Sequence, residues 1–108
     1  MKDYNRRLKQ KAIKGDAEAQ NKLGLMYEQG RGVTQNDKEA IKWYRKAADQ
    51  GLASAQYNLG CMYEYGLGVV KDNEEAIKWL KKAAGQGHIA AQHGLGCLYM
   101  EVRQEIDR

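Results

Sequence analysis

Residues 15–51 read GDAEAQNKLGLMYEQGRGVTQNDKEAIKWYRKAADQG, and residues 51–87 read GLASAQYNLGCMYEYGLGVVKDNEEAIKWLKKAAGQG. Set over one another, 15–50 and 51–86 share 21 identities in 36 positions. The pattern begins a third time, because Gly87, Ala91, Gln92, Leu95, Gly96 and Tyr99 stand 36 residues beyond Gly51, Ala55, Gln56, Leu59, Gly60 and Tyr63. Self-similarity at such a period is the signature of a stacked repeat, in which no unit buries its apolar faces alone.

Each unit reads as two helices. Ala19, Leu23, Met26 and Tyr27 recur at helical spacing, and Gly30 follows as a C-cap that tolerates a left-handed backbone. Asn36 with Glu39, and Asp72 with Glu75, have the spacing of a capping box ahead of a second apolar stripe, Ile41, Tyr44, Ala47 and Ala48 with Trp43 beside it. Asp16 caps the first helix of its unit, whereas Leu52 and His88 are weaker caps. Gly24, Gly60 and Gly96 fall inside helices, where glycine costs about 1 kcal/mol against alanine. Their recurrence predicts a bulky neighbour, Tyr or Trp, lying over bare backbone. The spacing predicts six helices, about 3–14, 16–29, 36–49, 52–65, 72–85 and 88–106, in one all-α solenoid domain. Its parts are a basic N-terminal capping helix (1–14), a first repeat (15–50), a second (51–86), and a partial third with an extended capping helix (87–108). In that last helix Leu95, Leu98, Tyr99, Val102 and Ile106 continue the stripe, since no Gly-x-Gly turn interrupts them.

Charge is concentrated at one end. Residues 1–14 carry Lys2, Arg6, Arg7, Lys9, Lys11 and Lys14 against Asp3, while the remainder is close to neutral within a net +4. A capping helix needs a polar outer face, which accounts for these cations better than nucleic-acid binding does. Lys38, Lys42, Lys46, Lys78, Lys81 and Lys82 are expected on solvated faces, with Glu74 supporting Lys78 at i,i+4. With one Ser, one Thr and two His in 108 residues, and neither a phosphate-loop motif nor a C-x-x-C, no catalytic constellation emerges. No apolar run is long enough to insert in a membrane. No secretory leader is recognisable and no disulfide is expected, which favours the cytoplasm.

The pattern A-x-A-Q-x-x-L-G-x-x-Y-x-x-G-x-G-V, followed by A-I-K-W-x-x-K-A-A-x-x-G, resembles the Sel-1-like repeat family over about residues 15–101. The resemblance implies a right-handed, tetratricopeptide-like superhelix of helix-turn-helix units. It implies a non-catalytic scaffold or adaptor that binds proteins, without cofactor or metal. Cysteine-rich members join the helices of a unit at places that here hold Ala48, Ala84, Gln56 and Gln92, so their disulfides are not implied.

In such stacks the first helix of each unit lines a concave groove. The resemblance places Asn21, Leu25, Gln29, Tyr57, Asn58, Cys61, Tyr65, His93, Cys97 and Met100 there as partner-binding residues, with Glu18, Glu28, Ser54, Glu64, Ala90 and Glu101 in the same rows. Tyr and Met suit an interface because they bury area with few polar demands. The expected ligand is a protein partner's peptide or helix. Of the positions that clamp C-terminal carboxylates in a tetratricopeptide relative, only Asn58 fits, which excludes that class. Cys61 and Cys97 are expected as free thiols, because equivalent positions on stacked helices lie roughly 8–10 Å apart, beyond disulfide reach. His93 shares a helix face with Cys97, but no fourth zinc ligand joins them and Cys61. Self-association through the end helices is the alternative reading.

Overall fold

The computed structural model describes residues 2–107, which form six helices: α1 (Lys2–Ile13), α2 (Ala17–Gln29), α3 (Asp37–Asp49), α4 (Ala53–Tyr65), α5 (Asn73–Gly85) and α6 (Ile89–Asp107). The four inner helices begin one residue after the expected starts, because the residue before each is the cap rather than part of the helix. Asp16 accepts from the Ala19 amide at 3.0 Å, Asn36 from Glu39 at 3.1 Å and Asp72 from Glu75 at 3.1 Å. His88 does the same work with Nδ1, 3.1 Å from the Ala91 amide, while Leu52 has no capping side chain. Gly30 and Gly66 close α2 and α4 at φ 69° and 65°, a left-handed backbone that any Cβ would strain.

Each helix packs chiefly on the one before and the one after it, so the chain is an all-α solenoid of 53 × 27 × 17 Å. Three apolar clusters run along it. Leu8, Ala12, Leu23 and Trp43 bind α1 to α2 and α3. Tyr44, Leu59, Met62 and Trp79 fill the middle. Leu80, Ala83, Ala91 and Leu98 hold α6 on α5. Ile106 lies outside the last cluster, with 77% of its surface exposed, so the stripe of α6 stops at the half-buried Val102.

A glutamine ladder links successive units. Gln20, Gln56 and Gln92 each donate to the carbonyl eight residues back, at Ala12, Ala48 and Ala84. Gln50 then donates to Gln20 Oε1 at 2.8 Å, and Gln86 to Gln56 Oε1 at 2.9 Å. The Lys residues of α3 and α5 do more than face water. Lys42 and Lys46 stand 5.4 and 5.8 Å from the Trp43 ring centre, and Lys78 and Lys82 stand 5.2 and 4.7 Å from that of Trp79. The ion pair of Lys78 is with Glu75 at 3.8 Å, one residue nearer than the expected Glu74.

The three helical glycines prove unequal. A Cβ on Gly24 would lie 2.6 Å from the Tyr44 ring, which matches the expected aromatic neighbour. On Gly60 it would meet Leu80 at 3.0 Å, an aliphatic cover rather than an aromatic one. On Gly96 it would meet nothing within 4 Å, because among the described residues no helix follows α6 to cover it.

Candidate functional site: a cavity between α4 and α6

The first helices of the units, α2, α4 and α6, lie side by side, and their shared face holds a cavity of about 450 Å³ between α4 and α6. Tyr57, Cys61, Glu64 and Tyr65 line it from α4, and Ala90, His93, Gly94, Cys97 and Glu101 from α6. These residues share a face because they recur at spacings of three and four along their helices. Leu80, reaching through from α5, also lines it.

Of the expected groove residues, the structure brings Tyr57, Cys61, Tyr65, His93 and Cys97 to this one cavity. Asn21 and Asn58 lie elsewhere: Asn58 Nδ2 donates to Asn21 Oδ1 at 3.0 Å, tying α2 to α4, and Asn21 is buried. Leu25 packs half-buried on the central cluster. Gln29 and Met100 are exposed beyond the cavity's lining. Leu80 was not foreseen as a lining residue; the signal for it was the contrast between Tyr44 and Leu80 at the same place in two otherwise matching helices.

Both residues are fully buried over the glycine that faces them, but they differ in shape and in polarity. At the preceding junction Tyr44 is fully buried, its ring covers Gly24, and its hydroxyl donates to Glu28 at 2.5 Å. Burial, and then the Glu28 hydrogen bond, push the Tyr44 phenol far above its ordinary range, so it stays a donor. Leu80 stands where Tyr44 stands, 36 residues on, and is shorter and without a donor. Glu64 occupies the place of Glu28 and has no such phenol. Glu101 occupies the place of Tyr65, which adds a second carboxylate at this junction.

The electrostatics follow from this placement. Desolvation raises the Glu64 carboxyl above its ordinary range, Glu101 raises it further, and Lys71 opposes them. Glu64 in turn pushes the exposed Tyr65 phenol up. Burial raises the Cys61 thiol, although Tyr57 hydrogen-bonds it and pulls the other way. A raised thiol stays protonated at neutral pH and is a poor nucleophile. Both cysteines are free, and His93 Nε2 lies 3.7 Å from Cys97 Sγ. Tyr57 stacks on His88 with ring centres 4.9 Å apart, which fixes that wall of the cavity. No group of three or more potential metal ligands occurs among the described residues. No helix there is long and apolar enough to cross a membrane.

Comparison with known proteins agrees with this architecture. The family model described as Sel1 repeat matches residues 17–52, 53–88 and 89–101. A Sel1 repeat protein from Oxalobacter formigenes superimposes with a TM-score of 0.79 at 46% identity, over 82% of this chain and 36% of that one. The protein c5321, a protective antigen present in uropathogenic Escherichia coli strains displaying an SLR fold, gives 0.85 at 44% identity, over 87% of this chain and 20% of that one. Helicobacter pylori cysteine rich protein B gives 0.80 at 26% identity, over 85% and 69%. The chain thus spans about a third and a fifth of the first two structures' lengths. A search of the curated proteins finds no match. Sel1 repeat proteins are generally protein-interaction scaffolds, and the fold is typically non-catalytic. With the repeat model matched across most of its length, the chain belongs to the Sel1 repeat family.

Proposed function

We propose that this protein is a non-catalytic interaction scaffold that receives a peptide or helix of a protein partner on the face shared by α2, α4 and α6. The observation that carries this reading is the cavity between α4 and α6, with Leu80 and Ala90 among its lining and Tyr65, two-thirds exposed, beside it. An aromatic side chain left in water next to a concavity is a typical anchor for a partner. Selection of a displayed random peptide library against the protein tests it. Bound peptides should shift the backbone resonances of Tyr57, Tyr65, Gly94 and Cys97. Peptides that shift only α1 or the convex residues of α3 and α5 would refute the groove.

A second reading, self-association, draws on the open end of the stack. Gly96 has no cover, and Gln92 is exposed where Gln20 and Gln56 are buried. A second copy covering that face would bury both. Sedimentation over a range of concentrations decides: a mass of 12.2 kDa throughout refutes it, and a dimer supports it.

A further inference from the structure

The cavity between α4 and α6 has a filled counterpart inside the same molecule, and the two differ at two places that matter. At the junction of α2 and α4, the Tyr44 ring covers Gly24 and supplies a hydrogen bond to Glu28, and the place in the repeat that Glu101 holds one unit later belongs to the neutral Tyr65. At the junction of α4 and α6, Leu80 leaves out both the planar body and the donor, while Glu101 doubles the negative charge beside Glu64. What is missing there is a flat group that donates hydrogen bonds and carries positive charge. Among the described residues neither carboxylate has an ion-pair partner, and no Lys or Arg lines the cavity.

We propose that the cavity is an arginine subsite: it takes the side chain of an arginine presented by a separate polypeptide, the aliphatic stem along Ala90 and Gly94 over the buried Leu80 and the guanidinium between Glu64 and Glu101. This rests on the groove reading above and names its ligand. Arginine fits better than lysine because its planar fork stacks on aromatic faces, here Tyr65 and Tyr57, and satisfies carboxylates with parallel hydrogen bonds. It is also less strongly hydrated than an ammonium group, which suits a cavity walled in part by apolar side chains. Tyrosine would restore the ring and a donor but would leave the second carboxylate without a counter-charge.

The test uses acetyl-arginine methylamide and its citrulline analogue, which keeps the shape and loses the charge, in NMR titrations of the whole protein. The arginine compound should shift Ala90, Gly94 and Glu101 saturably, and the citrulline compound should bind at least about tenfold more weakly, as expected when a charged hydrogen bond becomes neutral. Leu80→Tyr, which places in this helix the residue its sister helix already carries, should abolish the shifts while the melting temperature is kept. Should Leu80→Tyr unfold the protein, Glu101→Gln on the exposed wall serves instead and should weaken arginine without affecting citrulline. Equal binding of the two compounds, or of neither, overturns the arginine subsite. Library peptides without arginine that still bind the groove overturn it too, yet leave the groove reading standing. Peptides that bind elsewhere, with no arginine effect, sink both. If the occupant is instead the basic segment of a second copy, the protein dimerises and Arg6→Glu with Arg7→Glu returns it to monomer, which overturns the separate partner.

Discussion

One residue type at one place in the repeat carries three different energies. An added methyl at Gly24 collides with the Tyr44 ring, and that ring is held by Glu28 and cannot step aside cheaply. Gly24→Ala should therefore destabilise by about 1–3 kcal/mol, the range for overpacking a filled core. Gly60→Ala meets a leucine that can give by a few tenths of an ångström and should fall between. Gly96→Ala meets open space in a helix and should stabilise by up to about 1 kcal/mol. Denaturant unfolding of the three variants checks the order; equal effects would mean that the glycines are kept for backbone freedom and not for close approach. The raised Glu64 carboxyl also sets a pH dependence for any cationic ligand. It takes up its proton at a higher pH than an ordinary glutamate, under the combined action of burial, Glu101 and the weaker opposing Lys71. Acidification should thus weaken binding of the arginine compound from above the ordinary glutamate range, and Glu101→Gln should move that onset to lower pH. An affinity flat down to the ordinary carboxylate range would contradict it.

Between helices, the glutamine ladder is the polar counterpart of the apolar stripe. Gln86 Nε2 contacts both Gly51 O and Gln56 Oε1 at 2.9 Å, so Gln86→Ala leaves a buried acceptor without its donor. A loss of about 1–3 kcal/mol follows. Gln92→Ala, at an exposed site with a single bond to Ala84, should cost less, and thermal melts of the pair measure the difference. This ladder was invisible to a reading of helices one at a time. Gln20 and Gln50 are 30 residues apart and belong to different apolar patterns, so nothing local links them. The helices themselves were legible because their evidence is local: the stripe at three and four, an acidic or amide cap, and glycine at the end. The cavity was half legible. Tyr57, Cys61, Tyr65, His93 and Cys97 could be placed on one face by register alone. Leu80 could not, since a leucine in a core stripe reads as filler, and its meaning lies in not being the tyrosine its sister helix carries. Asn21 and Asn58 looked like ligand contacts because polar residues on a groove face usually do, whereas across 37 residues they satisfy one another.

At the scale of the whole molecule, stability is shared between neighbours and not drawn from one centre. α1 and α6 each pack substantially on a single helix, while α2 to α5 each lie between two, with α3 and α4 at the centre of the stack. Hydrogen exchange should therefore be graded, slowest in α3 and α4 and fastest in α1 and the exposed end of α6 beyond Val102. Uniform protection across all six helices would show that the stack opens only as a unit. An arginine ligand should slow exchange in α4 and α6 and leave α1 unchanged, since the cavity touches only the former pair and Leu80.

The glycine at 51 has open space where a side chain would stand, and both helices that meet there repeat one period later at Gly87. A joint of that kind accepts duplication. A copied 36-residue segment spliced between Gln50 and Gly51 would bring its own caps, its own glutamine rung and its own facing stripe, and would break no long-range bond except those it replaces with identical ones. Which residue the copy carried at the place of Tyr44 and Leu80 would then decide which side chain lay over the glycine of the added seam, so that a single codon would set the character of each new junction in the lengthened molecule.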